Sequence, residues 1–208
     1  MRILIADDHA IVRRGLVSVL NEEFPRAEIA EAGDSDTLFK MALGGRWDLI
    51  ISDVSMPGRG ALEIISEIKR HFPDIPILAL SIHPEEIYGI RALRAGASAF
   101  LNKDAPPAEL KKAINLILQA RKYITPRLAE KLAGDLAKDP GLQGHDMLSD
   151  RELEVMKLIA SGESLLNIGE ILSISPSTVS SYRSRILKKM QMQSNSELTR
   201  YCIQHGLS

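Results

Sequence analysis

Five short apolar runs punctuate the N-terminal part of the chain: Ile3-Leu4-Ile5, Glu28-Ile29-Ala30, Leu49-Ile50-Ile51, Ile77-Leu78-Ala79-Leu80 and Ala99-Phe100-Leu101. Between and after them lie segments with helical spacing of apolar positions, near residues 11–22, 35–43, 61–72, 85–95 and 107–121. Strand alternating with helix predicts a parallel sheet covered on both faces. The runs are continuous rather than alternating, as expected for strands buried on both sides. Beyond Tyr123 the pattern changes. Residues 127–138 fit a helix after Thr125-Pro126, and Asp139-Pro140-Gly141 with Gly144 reads as a break.

The remainder is helical and well punctuated. Ser149-Asp150-Arg151-Glu152 and Ser194-Asn195-Ser196-Glu197 have the spacing of capping boxes, and Ser175-Pro176 offers an N-cap followed by proline at the first helical position. Gly162 and Gly206 fall where helices would end. Four helices are predicted near 149–161, 165–172, 176–190 and 195–205, the middle pair a short helix, a tight turn and a longer helix. The expected organisation is α/β followed by all-α: a sheet domain over 1–124, a partly helical linker over 125–145 and a helical domain over 146–208.

Composition narrows the class. At 45% hydrophobic and 25% charged the chain is ordinary for a globular protein, and 4% aromatic residues make its cores aliphatic. The single cysteine, Cys202, has no partner for an internal disulfide, which fits a reducing compartment. No signal-peptide pattern follows Met1-Arg2, and no run approaches the roughly 20 apolar residues of a membrane span. A cytoplasmic protein with no membrane contact is therefore expected. Net charge is −1 and neither predicted domain is strongly basic. The informative stretch is Ser175 to Gln193, with Arg183, Arg185, Lys188 and Lys189 and no acid.

In an open parallel sheet the functional crevice lies beyond the carboxyl ends of the strands, where strand order reverses. The residues following the strands are Asp7-Asp8, Asp53, Ser81 and Lys103. Three carboxylates converging there would repel unless a cation sat among them, and oxygen ligands with room for water suit Mg²⁺. Such an ion with an ammonium opposite can hold the charge of a phosphoryl group in transfer, with Asp53 as nucleophile. Each residue taken singly also has a structural reading: a helix cap, a turn residue, a solvated lysine or a core phenylalanine.

The set Asp7-Asp8, Asp53 followed by Met56-Pro57-Gly58, Ser81, Phe100 and Lys103 resembles the receiver domain of response regulators, a flavodoxin-like five-stranded fold. The resemblance implies Asp53 as phosphoacceptor, with Asp8, Asp53 and the backbone carbonyl of Ser55 on Mg²⁺ and Asp7 binding through water. It makes Ser81 and Phe100 a switch pair beside Lys103. Two positions depart from the usual pattern: Ala61 stands where glycine is common, and Asp104 where proline often follows the lysine. A positive φ at Ala61 would strain the loop.

From Leu148 to Leu207 the chain resembles the LuxR-type output domain of the NarL/FixJ class. The matching residues are Leu148 to Glu152, Ile159 to Gly162, Ile168 to Leu172, Ile174 to Val179 and Arg183 to Met190. The helix-turn-helix falls at about 165–184. Ser177, Thr178, Ser180, Ser181, Tyr182 and Arg183 would meet bases from the start of the recognition helix, and Arg185, Lys188 and Lys189 would meet phosphates. Here Ser180 stands where lysine is common, Tyr182 where histidine is, and Leu165-Leu166-Asn167 replaces a polar helix start.

The implied function is a two-component response regulator and transcription factor without enzymatic turnover beyond chemistry at Asp53. Its implied partners are a sensor histidine kinase, double-stranded promoter DNA and a second copy of the chain, with RNA polymerase a further candidate. Leu198, Tyr201 and Cys202 form an apolar stripe that either dimerises or closes the small core. Competing readings are an enzyme using an aspartyl phosphate on outside substrates, and a regulator governed by a partner or ligand. Turnover of a phosphoester favours the first, and no phosphorylation with Mg²⁺ and a small phosphodonor favours the second.

Overall fold

The computed structural model describes residues 1–56, 59–136 and 144–207, without the side chains of 86, 134–136 and 146. Pro57, Gly58 and the expected break at Asp139-Pro140-Gly141 lie outside the described residues. Two compact units result, 1–138 and 139–208.

The first unit runs β1 (Arg2–Ala6), α1 (Ala10–Glu23), β2 (Glu28–Ala32), α2 (Ser35–Gly44), β3 (Leu49–Asp53), α3 (Ala61–His71), β4 (Ile77–Ser81), α4 (Glu85–Arg94), β5 (Ala99–Asn102), α5 (Pro107–Leu118) and α6 (Pro126–Leu136). All strand pairs are parallel, in the order β2-β1-β3-β4-β5. The chain reverses its direction of winding between β1 and β3, so the crevice opens beyond those two strands. β3 and β4 are buried along their whole length, whereas the edge strand β2 is half-exposed, which is why its apolar run is so short. Aliphatic side chains fill the core: Ile3, Ile5, Ile51, Leu78 and Leu101 pack with Leu16 and Leu20 of α1 and with Leu110, Ile114 and Ile117 of α5.

The segment after α5 stays on the sheet domain. Tyr123 bridges to Ala99 at the edge of β5, and its hydroxyl donates to Glu109 at 2.9 Å. Thr125 Oγ1 donates to Glu85 at 2.7 Å and caps α6 by accepting from Leu128 N at 3.1 Å. Helix α6 then lies on α4, with Leu128 fully buried against Gly89. A Cβ at residue 89 would come within 2.9 Å of the Leu128 methyl groups, so the missing side chain makes the socket.

The second unit contains a 3₁₀ turn (Gly144–Met147), α7 (Asp150–Ala160), α8 (Leu165–Ile171), α9 (Pro176–Met190) and α10 (Asn195–Gln204). Ser149 and Glu152 form the reciprocal capping box of α7. At α10, Ser194 accepts from Glu197 N, but the Glu197 carboxylate takes the backbone N–H of Gln193 rather than that of the cap residue. Gly162 and Gly206 adopt the left-handed conformation just past α7 and α10. Leu198 and Cys202 are completely buried, so the stripe divides: these two close the core. Tyr201 instead turns to the 3₁₀ segment, accepting from the backbone N–H of His145 at 3.2 Å, with its ring stacked on His205. Among the described residues no helix is long and apolar enough to cross a membrane.

Candidate functional site

The sheet brings Asp7, Asp8, Asp53, Ser81 and Lys103 to one end. Asp7 and Asp53 are buried, at 0% and 1% exposure, while Asp8 is exposed. Lys103 reaches between the two buried acids, its Nζ 2.6 Å from Asp7 Oδ2 and 2.7 Å from Asp53 Oδ2. Asp53 Oδ1 accepts from Ser55 N at 3.0 Å, so the loop after β3 folds back onto the carboxylate. Burial pushes the Asp53 carboxyl above its ordinary range, although the Lys103 ammonium and the Ser55 N–H pull the other way. Burial also acts to lower Lys103, but hydrogen bonds and charge from Asp53 and Asp7 outweigh it, and the ammonium is held above its ordinary value.

Two residues absent from the sequence reading complete the pocket. Arg13, one turn into α1, donates to the Asp7 carbonyl at 2.6 Å and to Glu31 at 3.0 Å, clamping β1 to β2 beneath the acids. His9 donates its backbone N–H to Asp7 Oδ1 at 2.8 Å and holds Nδ1 2.8 Å from Asp8 Oδ1. Its position directly after the acid pair was the available signal. One potential ligand atom from each of Asp7, Asp8, His9 and Asp53 lies within 4.8 Å of the others. Three carboxylates against a single ammonium leave an excess of negative charge in a buried crevice, and that donor set fits a divalent cation.

Ser81 and Phe100 are fully buried. Ser81 Oγ accepts from His83 N at 3.0 Å, and the His83 ring stacks on Tyr88 of α4 at 4.7 Å. The loop that carries the hydroxyl is thereby tied to α4. Ala61 opens α3 and is not among the positive-φ residues, so the expected strain is absent.

In the second unit α8 and α9 meet at a tight turn. Ile174 N donates to Gly169 O at 2.9 Å, and a Cβ on Gly169 would lie 2.8 Å from the Ile174 carbonyl. Arg151 of α7 braces this turn by donating to the Leu172 carbonyl at 2.6 Å. Ser175 caps α9 through Thr178 N and gathers the hydroxyls of Ser177 and Thr178 within 2.7 and 2.8 Å. Ser177, Ser180 and Ser181 are exposed, and Thr178, Tyr182 and Arg183 half-buried. The cations differ in what they touch. Lys189 pairs with the buried Glu152 at 2.6 Å, Arg185 lies 3.8 Å from the same carboxylate and over the Tyr182 ring at 4.6 Å, and Arg183 donates to Asn195 at 2.7 Å. Lys188 is exposed. Burial acts to raise Glu152, but Lys189 and Ser149 outweigh it and hold the carboxyl below its ordinary range.

Comparison with known proteins agrees with both halves. Residues 3–115 match the response regulator receiver domain, and residues 146–202 match the bacterial regulatory proteins of the luxR family. The chain is 33% identical to the response regulator UvrY of Escherichia coli strain K12, over all of this chain and 95% of that protein. It is 32% identical to the response regulator GacA of Pseudomonas viridiflava, over all of this chain and 97% of that one. Among solved structures, RcsB from Salmonella enterica serovar Typhimurium, bound to promoter rprA in the presence of phosphomimetic BeF3−, aligns with a TM-score of 0.62 at 29% identity, covering 97% of this chain and 98% of RcsB. The parallel sheet with its acidic crevice and the capped helix-turn-helix that follows are thus the two halves of one architecture, and the chain belongs to the two-component response regulators of the NarL/FixJ class, transcription regulators with a LuxR-type DNA-binding domain.

Proposed function

We propose that Asp53 is the phosphoacceptor and that its phosphorylation by a sensor histidine kinase controls dimerisation and promoter binding. The carrying observation is the Lys103 ammonium held between Asp7 and Asp53 at the reversal point of the sheet. A carboxylate oxygen of Asp53 attacks the phosphorus of a phosphohistidine, the P–N bond breaks, and the imidazole leaves with a proton. Lys103 neutralises charge on the transferred group. Asp8, Asp53 and the Ser55 carbonyl would hold Mg²⁺ directly and Asp7 through water; the ion would supply charge neutralisation for the phosphoryl oxygens. Ser81 then donates to the new acceptor oxygens instead of serving the His83 N–H, with Phe100 behind it. No turnover of outside substrates is proposed.

The output half reads DNA. Ser177, Thr178, Ser180, Ser181, Tyr182 and Arg183 face the major groove from the start of α9, and Arg185 and Lys188 meet phosphates. Lys189, assigned to phosphates from the sequence, also pairs with Glu152, and its share of the phosphate contact is proposed to be the smaller. One such module reads few base pairs, so paired half-sites and a homodimer follow. The regions 1–124 and 146–208 act as receiver and reader in the cytoplasm, joined by 125–145, whose helix α6 packs on the receiver, with RNA polymerase as a further partner.

The test is intact-mass analysis after incubation with Mg²⁺ and acetyl phosphate. Gain of one phosphoryl group, lost in Asp53→Ala and accompanied by tighter operator binding in wild type alone, is expected. Equal operator binding by both proteins, with no mass gain at residue 53, would overturn the proposal.

A further inference from the structure

His9 occupies an N-cap position without capping. It is the residue before α1, yet its side chain makes no cap hydrogen bond. Histidine is a poor cap compared with Ser, Asp or Asn, so the helix start does not explain it. Its backbone is fixed by the N–H donated to Asp7 Oδ1, and the imidazole swings to the acids, with Nδ1 2.8 Å from Asp8 Oδ1 and 3.4 Å from Asp7 Oδ1. The ring is 65% exposed, so it stands on the solvent side of the pocket and buries little apolar surface.

We infer that His9 Nδ1 is a fourth protein ligand of the ion held by the acidic crevice and biases that crevice toward first-row transition metals over Mg²⁺. The inference deepens the proposed metal role of Asp8 and Asp53 and rests on it. Geometry permits the ligation. Two atoms on one ion at about 2.1 Å can be no more than roughly 4.2 Å apart, and the candidate atoms of Asp8, His9 and Asp53 already lie, with that of the water-linked Asp7, within 4.8 Å of one another. A contraction of a few tenths of an ångström closes the set. For Nδ1 to donate its lone pair, the ring must carry its proton on Nε2, and Nε2–H then faces water at little cost because the ring is exposed. Imidazole suits ions such as Zn, Ni and Fe, whereas Mg²⁺ holds to oxygen and keeps its waters. A nitrogen donor therefore adds affinity for the first group and little for the second.

The experiment uses the full-length protein, with Mn²⁺ as the paramagnetic probe of ligation and Ni²⁺ against Mg²⁺ as the pair that reads the bias. Pulsed electron paramagnetic resonance of the bound ion should show modulation from a directly coordinated imidazole nitrogen in wild type. It should be absent in His9→Ser, a substitution that also supplies a good cap and so protects the helix start. Competition should show His9→Ser losing roughly tenfold in Ni²⁺ affinity with Mg²⁺ affinity changed less than about twofold. Mn²⁺ bound in both proteins with no nitrogen modulation, or modulation that survives His9→Ser, overturns the role of His9 and leaves the carboxylate site intact. Failure of Mn²⁺ or Mg²⁺ to bind, or binding that survives Asp8→Ala with Asp53→Ala, overturns the metal reading of the pocket itself.

Discussion

A buried acid with its carboxyl held above its ordinary range has a defined effect on stability. Asp53 binds a proton more tightly folded than unfolded. Below the unfolded value of 3.8 both states are protonated and nothing is lost; the penalty grows as pH rises through the higher folded value and is complete above it. Asp53→Asn should therefore raise the melting temperature of the sheet domain at neutral pH, the gain shrinking as pH falls toward 3.8. A melting temperature equal or lower at neutral pH would mean that Lys103 already compensates the buried charge. Glu152 runs the other way. Its folded value is lowered, so its contribution is present above 4.5 and is lost as pH falls through the folded value. Glu152→Gln should cost the helical domain about 1–3 kcal/mol by chemical denaturation at neutral pH, the difference narrowing in acid. The convergence of Asp53 and Lys103 was legible because strand ends meet by topology. The pairing of Lys189 with Glu152 was not legible, because a partner on another helix leaves no local trace.

Element boundaries follow local chemistry closely where a cap or a run announces them, as at Ser149, Ser175 and Gly162. Contacts between helices were less visible. Glycine is a poor helix former, yet α4 uses Gly89 as a socket for Leu128, and no spacing rule links the two. An 11-residue helix is marginal alone, so α6 depends on this contact. Leu128→Ala should raise hydrogen exchange across α6 toward that of a free peptide while amides of β3 and β4 stay protected. Unchanged exchange in α6 would show that Thr125 and Tyr123 suffice to hold it. Gly169 is the corresponding feature of the second unit. Gly169→Val forces the Ile174 carbonyl away and should destabilise the domain by about 1–3 kcal/mol, with weaker operator binding measured at matched folded fraction.

Balanced charge over the whole chain limits how DNA can be held. With Lys189 paired internally, few cations are left for phosphates, and each released counterion contributes a slope of about −0.9 in log affinity against log salt. Operator binding should accordingly show a shallow dependence. Lys188→Ala should flatten it by about one unit per protomer, whereas Lys189→Ala should lower thermal stability with little change of slope. A flatter slope for Lys189→Ala at full folding would restore that residue to the DNA surface. The split into two units was legible from the change in pattern after Tyr123, because strand-helix alternation cannot continue without apolar runs. That α6 packs with the first unit was not, since an amphipathic helix does not say which face it will meet.

The hold of Tyr201 on His145 has a consequence for engineering. It fastens the entry of the reader domain to α10, bringing residue 145 beside residue 201 near the other end of that domain. Such a closed loop can be covalently joined across the gap and opened elsewhere. A circularly permuted reader, with new ends at the exposed Ser161-Gly162 corner, should fold and keep its operator preference.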